Sequence, residues 1–184
     1  MRRMPGRARG IRDVQIIPAD GMMGDHYDPM KKLIALTPDV YDGRSTAAVG
    51  IAAHECGHAI QHQLAYGPLQ LRTAAVGLTQ YSSTLIYLPI LFMMMGFLAP
   101  YTGYMIMAAG AGIIMLFNLV TLPVEFDASS RAKALLPELG IINSPAEAQA
   151  VSRVLGAAAL TYVAAFLASM ANVLYYLAIA NRRN

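Results

Sequence analysis

Residues 73–124 read TAAVGLTQYSSTLIYLPILFMMMGFLAPYTGYMIMAAGAGIIMLFNLVTLPV, 52 consecutive positions without Asp, Glu, Lys, Arg or His. A soluble domain carries about a quarter charged residues, whereas this chain of 184 residues is 14% charged and 56% hydrophobic. A helix that crosses a bilayer needs about 20 apolar residues, so the stretch holds two spans, placed at 77–98 and 104–122 and divided by Ala99-Pro100-Tyr101-Thr102-Gly103. A second uncharged run of 28 residues, Val154 to Asn181, holds a third span at 155–180. The chain therefore reads as mainly α, an integral membrane protein with about three transmembrane helices. An ordinary soluble globule, a disordered chain and a nucleic-acid module are excluded, because a formal net charge of +3 on so apolar a sequence reflects membrane topology rather than phosphate binding.

Charge collects at the N-terminal end. Residues 1–72 hold nine of the 14 Lys and Arg residues and seven of the 11 acids, so this part faces water. Residues 1–12 carry five Arg with no apolar core behind them, a flexible basic arm rather than a secretory signal. Asp13 to Pro18 and Lys32 to Thr37 have strand patterns, and the Gly-, Asp- and Pro-rich residues 19–29 between them signal turns. A short N-terminal β-hairpin is the expected arrangement, resting on the helix that follows. That helix should run from Ser45 to Tyr66, entered through Asp42-Gly43-Arg44-Ser45-Thr46 and stopped by Gly67-Pro68. Pro123 sits at the end of the second span, where a helix is expected to break, kink or restart, and a polar segment at 125–153 follows, with Ser144, Pro145 and Glu147 forming a capping box whose helix could run without interruption into the third span. With three spans, twelve basic residues lie on one side and two, Arg182 and Arg183, on the other. This places the polar part, residues 13–72 and 125–153, in the cytoplasm of a multi-pass cell-membrane protein. Cys56 is alone, so no internal disulfide exists.

The chemistry concentrates in His54-Glu55-Cys56-Gly57-His58. Two His at i and i+4 lie on one helical face about 6 Å apart along the axis, close enough for both imidazoles to reach one metal. The intervening Glu can serve as general base towards an activated water. With four His and four Glu in the chain, chance would produce this motif roughly 0.002 times. A packed or solvated His face is the bland alternative, but an ionised Glu among Ala, Ile and Gly is costly unless it is paired or near a metal.

A catalytic zinc takes three protein ligands and leaves one position open. His62 cannot supply the third, because it lies about 12 Å along the axis from His54. The metzincin pattern fails as well, since its Gly position is Gln61 and its third-His position is Leu64. Glu125, in Leu122-Pro123-Val124-Glu125-Phe126-Asp127, is the favoured donor: a carboxylate at a membrane boundary is expensive and emerges on the same side as the motif. Asp127 points some 200° away on a helix and can pair with Arg131 at i+4.

Together these segments resemble the bacterial membrane zinc metallopeptidases, integral-membrane relatives of the gluzincin proteases. The resemblance rests on Asp25-His26-Tyr27-Asp28-Pro29, on Gly43-Arg44-Ser45 leading into Ala52 to His62, on Leu122 to Ser129 and on Ala158 to Ala165, so it covers nearly all of the chain from Val14. It implies one Zn2+ per chain held by His54, His58 and Glu125, with Glu55 as general base of a zinc metalloendopeptidase acting on a peptide or membrane-protein substrate in the lipid bilayer, and no nucleic-acid partner. Members usually begin with an additional apolar helix, which does not precede Val14 here. Gluzincins often place an Asp four residues after the ligand Glu, where this chain has Ser129. His26, Tyr27, His62, Asp127 and Arg131 remain candidates for orienting a ligand or stabilising an oxyanion. The strand Leu33 to Thr37 could pair with substrate backbone through a free edge. A site-2-type intramembrane protease is a poorer match, since neither uncharged run contains an Asp. The alternative of another class is a non-catalytic, zinc-containing membrane adaptor.

Overall fold

A computed structural model describes residues 13–19 and 24–182; the expected basic arm, residues 1–12, lies outside the described residues. Three strands come first, β1 (Gln15–Pro18), β2 (His26–Asp28) and β3 (Leu33–Leu36). A one-turn helix α1 (Pro38–Tyr41) leads to the motif helix α2 (Thr46–Gln63), and three long helices follow, α3 (Gly67–Met94), α4 (Pro100–Glu138) and α5 (Pro145–Asn181). The described chain forms two compact units. One comprises the residues up to Leu69 with Val124–Leu160, and the other Gln70–Pro123 with the residues from Thr161 onward.

In the first unit the sheet has the order β1-β3-β2. A hairpin forms, but between β2 and β3, which pair antiparallel with Tyr27 opposite Ile34. β1 instead lies parallel to β3, with Ile16 opposite Ile34. The expectation that the segments around 13–18 and 32–37 would face each other as a hairpin is thus corrected: a parallel pair needs a crossover of a dozen or more residues, and the intervening segment supplies it and contributes β2 on the way. Asp28 shapes the tight turn by accepting hydrogen bonds from the backbone N–H of Met30 and Lys31. β3 is consequently the central strand, paired on both sides. It has no free edge, which overturns its expected role in pairing with substrate.

The motif helix begins as its sequence dictates. Ser45 is the N-cap, and its hydroxyl accepts from the Ala48 N–H at 3.1 Å. The helix is buried on two faces. Cys56, Ala59 and Ile60 pack with Ile34, Leu36, Val40 and Leu135, so the sheet covers one side. Ala53 packs with Ala132, Leu136, Val151 and Leu155, so α4 and α5 cover the other. Contact with α4 is close at Gly57, where a Cβ would stand 2.5 Å from the Ala128 carbonyl oxygen and 3.1 Å from its Cα. Only a residue without a side chain permits that approach.

All three long helices are long and apolar enough to cross a membrane. α4 and α5 extend beyond the expected spans, whereas α3 starts earlier than expected and stops at Met94, short of 98. α3 begins at Gly67, and α4 has 39 residues, about 58 Å at 1.5 Å per residue. Pro123 does not interrupt α4, correcting the expected break. It costs the helix one N–H at that turn, and apolar helices tolerate such a loss where neighbouring helices support them. The capping box at the start of α5 is formed: Glu147 accepts from the N–H groups of Asn143 and Ser144, and its own N–H donates to the Ser144 hydroxyl at 3.2 Å. In the second unit, Asn118 of α4 donates to the Ala165 carbonyl and the Ser169 hydroxyl of α5, each at 3.2 Å.

Gly57→Ala should therefore force α2 and α4 apart, lowering stability by about 1–3 kcal/mol through overpacking. Gly156→Ala, whose added Cβ meets nothing within 4 Å, should leave stability unchanged or raise it slightly. Thermal unfolding of the two variants in the same detergent checks the contrast, and equal midpoints would contradict the close helix contact.

Candidate metal centre

His54 and His58 lie one turn apart on α2, with ring centroids 4.7 Å apart and ring planes at 84°. Glu125, on α4, reaches between them. Its Oε2 is 3.1 Å from His54 Nε2 and 3.6 Å from His58 Nε2, and one donor atom from each of the three residues falls within 4.8 Å of the others. Zinc binds imidazole nitrogen and carboxylate oxygen at about 2.0–2.2 Å in tetrahedral geometry, which places neighbouring donor atoms about 3.4 Å apart. The two Oε2–Nε2 separations bracket that value. Glu125 is only 1% exposed, and an ionised carboxylate so far from water requires positive charge or hydrogen bonds around it. A set of two imidazoles and one carboxylate, buried at this spacing, fits zinc.

Each imidazole is held from behind. His54 Nδ1 is 3.1 Å from the Ser129 hydroxyl, and His58 Nδ1 is 2.9 Å from Gln61 Oε1. Such backing on the far ring nitrogen orients metal-binding His residues generally. Here Ser129 occupies the position where gluzincins often carry an Asp. Gln61 also donates from Nε2 to the Val124 carbonyl and to Asp127 Oδ2, both at 2.8 Å. Asp127 in turn pairs with Arg131 at the anticipated i+4 spacing. Arg131 lies over the Tyr66 ring, 5.8 Å from its centroid.

The other candidates lie elsewhere in this unit. His26, on β2, sits 2.8 Å from the Gly24 carbonyl. Tyr27 and His62 form a pair of their own, with the phenol oxygen 2.8 Å from His62 Nδ1, which ties β2 to the last turn of α2. Asp127 and Arg131 reach His58 only through Gln61. Gln61 was missed, having entered only as the residue that breaks the metzincin pattern; the available signal was its i+3 spacing from His58, which puts both on one helical face.

Burial is the largest single influence on Glu55, His58 and Tyr27. It raises the pKa of Glu55, with the Glu125 and Asp25 carboxylates adding to the rise and His58 and His54 opposing it. Burial works against the imidazolium of His58, but Glu125 and Glu55 outweigh it and raise its pKa. Tyr27 is pushed up to about 12 by burial and by the nearby Asp13 and Asp28 carboxylates.

Apolar helices of spanning length and a buried HExxH–Glu cluster define a membrane-associated metallopeptidase-type protein. The family described as "Putative neutral zinc metallopeptidase" matches residues 3–181, and the chain belongs to it. It is 43% identical over 179 residues to the "Putative membrane protease YugP" of Bacillus subtilis (strain 168), an alignment covering 92% of this chain and 74% of the relative. No solved structure matches the chain significantly.

Removing the carboxylate tests the donor set. Glu125→Ala should lower zinc affinity by more than about 100-fold, since two imidazoles alone leave the ion short of the usual three protein ligands. Metal analysis after dialysis reads the result, and full retention of zinc would assign the third donor elsewhere.

Proposed function

We propose that this chain is a membrane-embedded zinc metallopeptidase that hydrolyses peptide bonds, with one zinc per chain held by His54, His58 and Glu125 and with Glu55 as general base. The observation that carries the reading is the buried cluster in which Glu125 Oε2 lies 3.1 and 3.6 Å from the Nε2 atoms of His54 and His58, one residue along α2 from a second buried carboxylate. Zinc in such a site acts as a Lewis acid on a carbonyl and lowers the pKa of water. Glu55 takes the proton of the attacking water and delivers it to the departing amine. His54 and His58 serve as neutral ligands, held by Ser129 and Gln61.

The substrate is a peptide or membrane protein reached from the bilayer in which α3, α4 and α5 are embedded. The helices cross the membrane three times, with the active site facing the cytoplasm. The support is the distribution of twelve basic residues on the active-site side against two on the other. A phosphatase fused after Asn184, active only outside the cytoplasm, should then be active, and a fluorescent protein at the same point dark. The reverse pattern would invert the topology.

Glu55→Gln in purified protein should retain zinc and lower kcat on an unstructured protein substrate about 10²–10⁴-fold, the usual contribution of a general base. Equal activity in both proteins would remove Glu55 from the chemistry. A wild type that holds one zinc yet cleaves nothing would favour the non-catalytic zinc adaptor.

A further inference from the structure

Gln61 is 0% exposed, so its amide must satisfy itself entirely within the protein. Its Nε2 lies 2.8 Å from the Val124 carbonyl oxygen and 2.8 Å from Asp127 Oδ2. The first of these can only accept. The second belongs to a carboxylate that already receives Arg131 through both oxygens, and so it accepts as well. Turning the amide over would set its oxygen against two acceptors, which fixes the orientation of the group. The two amide hydrogens are used there, and Oε1 alone faces His58 Nδ1 at 2.9 Å. His58 Nδ1 must therefore donate, and in the neutral imidazole the lone pair then belongs to Nε2, the atom directed at Glu125. Ser129, the partner of His54, imposes no such choice, because a hydroxyl can donate or accept.

We infer that Gln61 is a positioning residue: it fixes His58 with its proton on Nδ1 and its lone pair towards the metal, and it couples that ligand to the Asp127–Arg131 pair on α4. This deepens the proposed function and rests on it in so far as the metal is concerned. His58 comes from α2 and Glu125 from α4. A single amide bonded to His58 on one side and to the Val124 carbonyl, one residue from Glu125, on the other sets the spacing of donors carried by two different helices. The Asp127 carboxylate, one amide away from the imidazole, plays the part that a directly bonded Asp would otherwise play.

The test uses the full chain in detergent with two readouts: zinc affinity by competition with a chelator, and the ring ¹⁵N shifts of His58 in metal-free protein, assigned by their loss in His58→Ala. Gln61→Met keeps length and removes every hydrogen bond. A second variant, Asp127→Asn, keeps Gln61 and removes the charge behind it. In wild type His58 Nδ1 should be protonated. Gln61→Met should change the Nδ1 signal and bind zinc about 10–100-fold more weakly, the usual cost of deleting a group that orients a ligand. Asp127→Asn should keep the Nδ1 proton and weaken zinc less than Gln61→Met does. Unchanged affinity in Gln61→Met, or an unprotonated Nδ1 in wild type, would overturn the inference while leaving the peptidase reading intact. Unchanged affinity in Asp127→Asn would overturn the coupling to the Asp127–Arg131 pair. If wild type binds no zinc, the proposed function falls, and the Nδ1 proton in metal-free protein still decides the role of Gln61.

Discussion

One constraint organises this protein: a carboxylate with almost no exposure to water sits between two imidazoles. Moving an ion of that size from water into protein costs several kcal/mol even after relaxation, and a metal ion held jointly by Glu125 and the two imidazoles would offset the cost. Both His Nε2 atoms face its Oε2, and both rings are held from behind so that they cannot turn away. For this to happen two helices must meet almost backbone to backbone, which the glycine inside the motif allows at Ala128. The small residues Ala53, Ala128 and Ala132, all fully buried, continue the close contact. The sheet seals the opposite side of α2 with Ile34 and Leu36.

Much of this was legible because the signals are local. The HExxH spacing, the Ser45 cap, the Ser144–Glu147 capping box and the three apolar runs each declare themselves within a few turns of chain. Glu125 could be chosen because acids are so scarce downstream of the motif. The strand pairing was not legible in the same way. β1 and β3 have similar alternating patterns, and whether they run parallel or antiparallel depends on where the intervening chain goes, including a three-residue strand too short to show in a pattern. The ends of α3 and α4 were misjudged for a related reason. Charge marks where a helix leaves an apolar environment, not where its hydrogen bonds stop, so α4 continues past Pro123 to Glu138.

That continuation has a chemical consequence. Glu125, Ala128 and Ser129 recur at the i, i+3 and i+4 spacing of one helical face, and together they present to α2 a carboxylate, a point of close approach and a hydroxyl. Asp127 and Arg131 occupy the neighbouring face of the same helix. On a rigid element they keep the sub-ångström precision that a metal site needs.

The two helices meet stripe against stripe. On α2 the positions 54, 58 and 61 fall on one face, and each finds its counterpart on α4: His54 with Ser129 and Glu125, His58 with Glu125, Gln61 with Val124 and Asp127. A longer acid at 129, bonded directly to a ligand, would bring a second negative charge against Glu125 in a buried site. Ser129 avoids that, and Gln61 relays a carboxylate from a distance instead. The acidic partner is moved out to position 127, where Arg131 balances it and part of the pair meets solvent. The departure at 129 and the buried glutamine at 61 are thus two sides of one solution to holding neutral imidazoles beside a buried carboxylate.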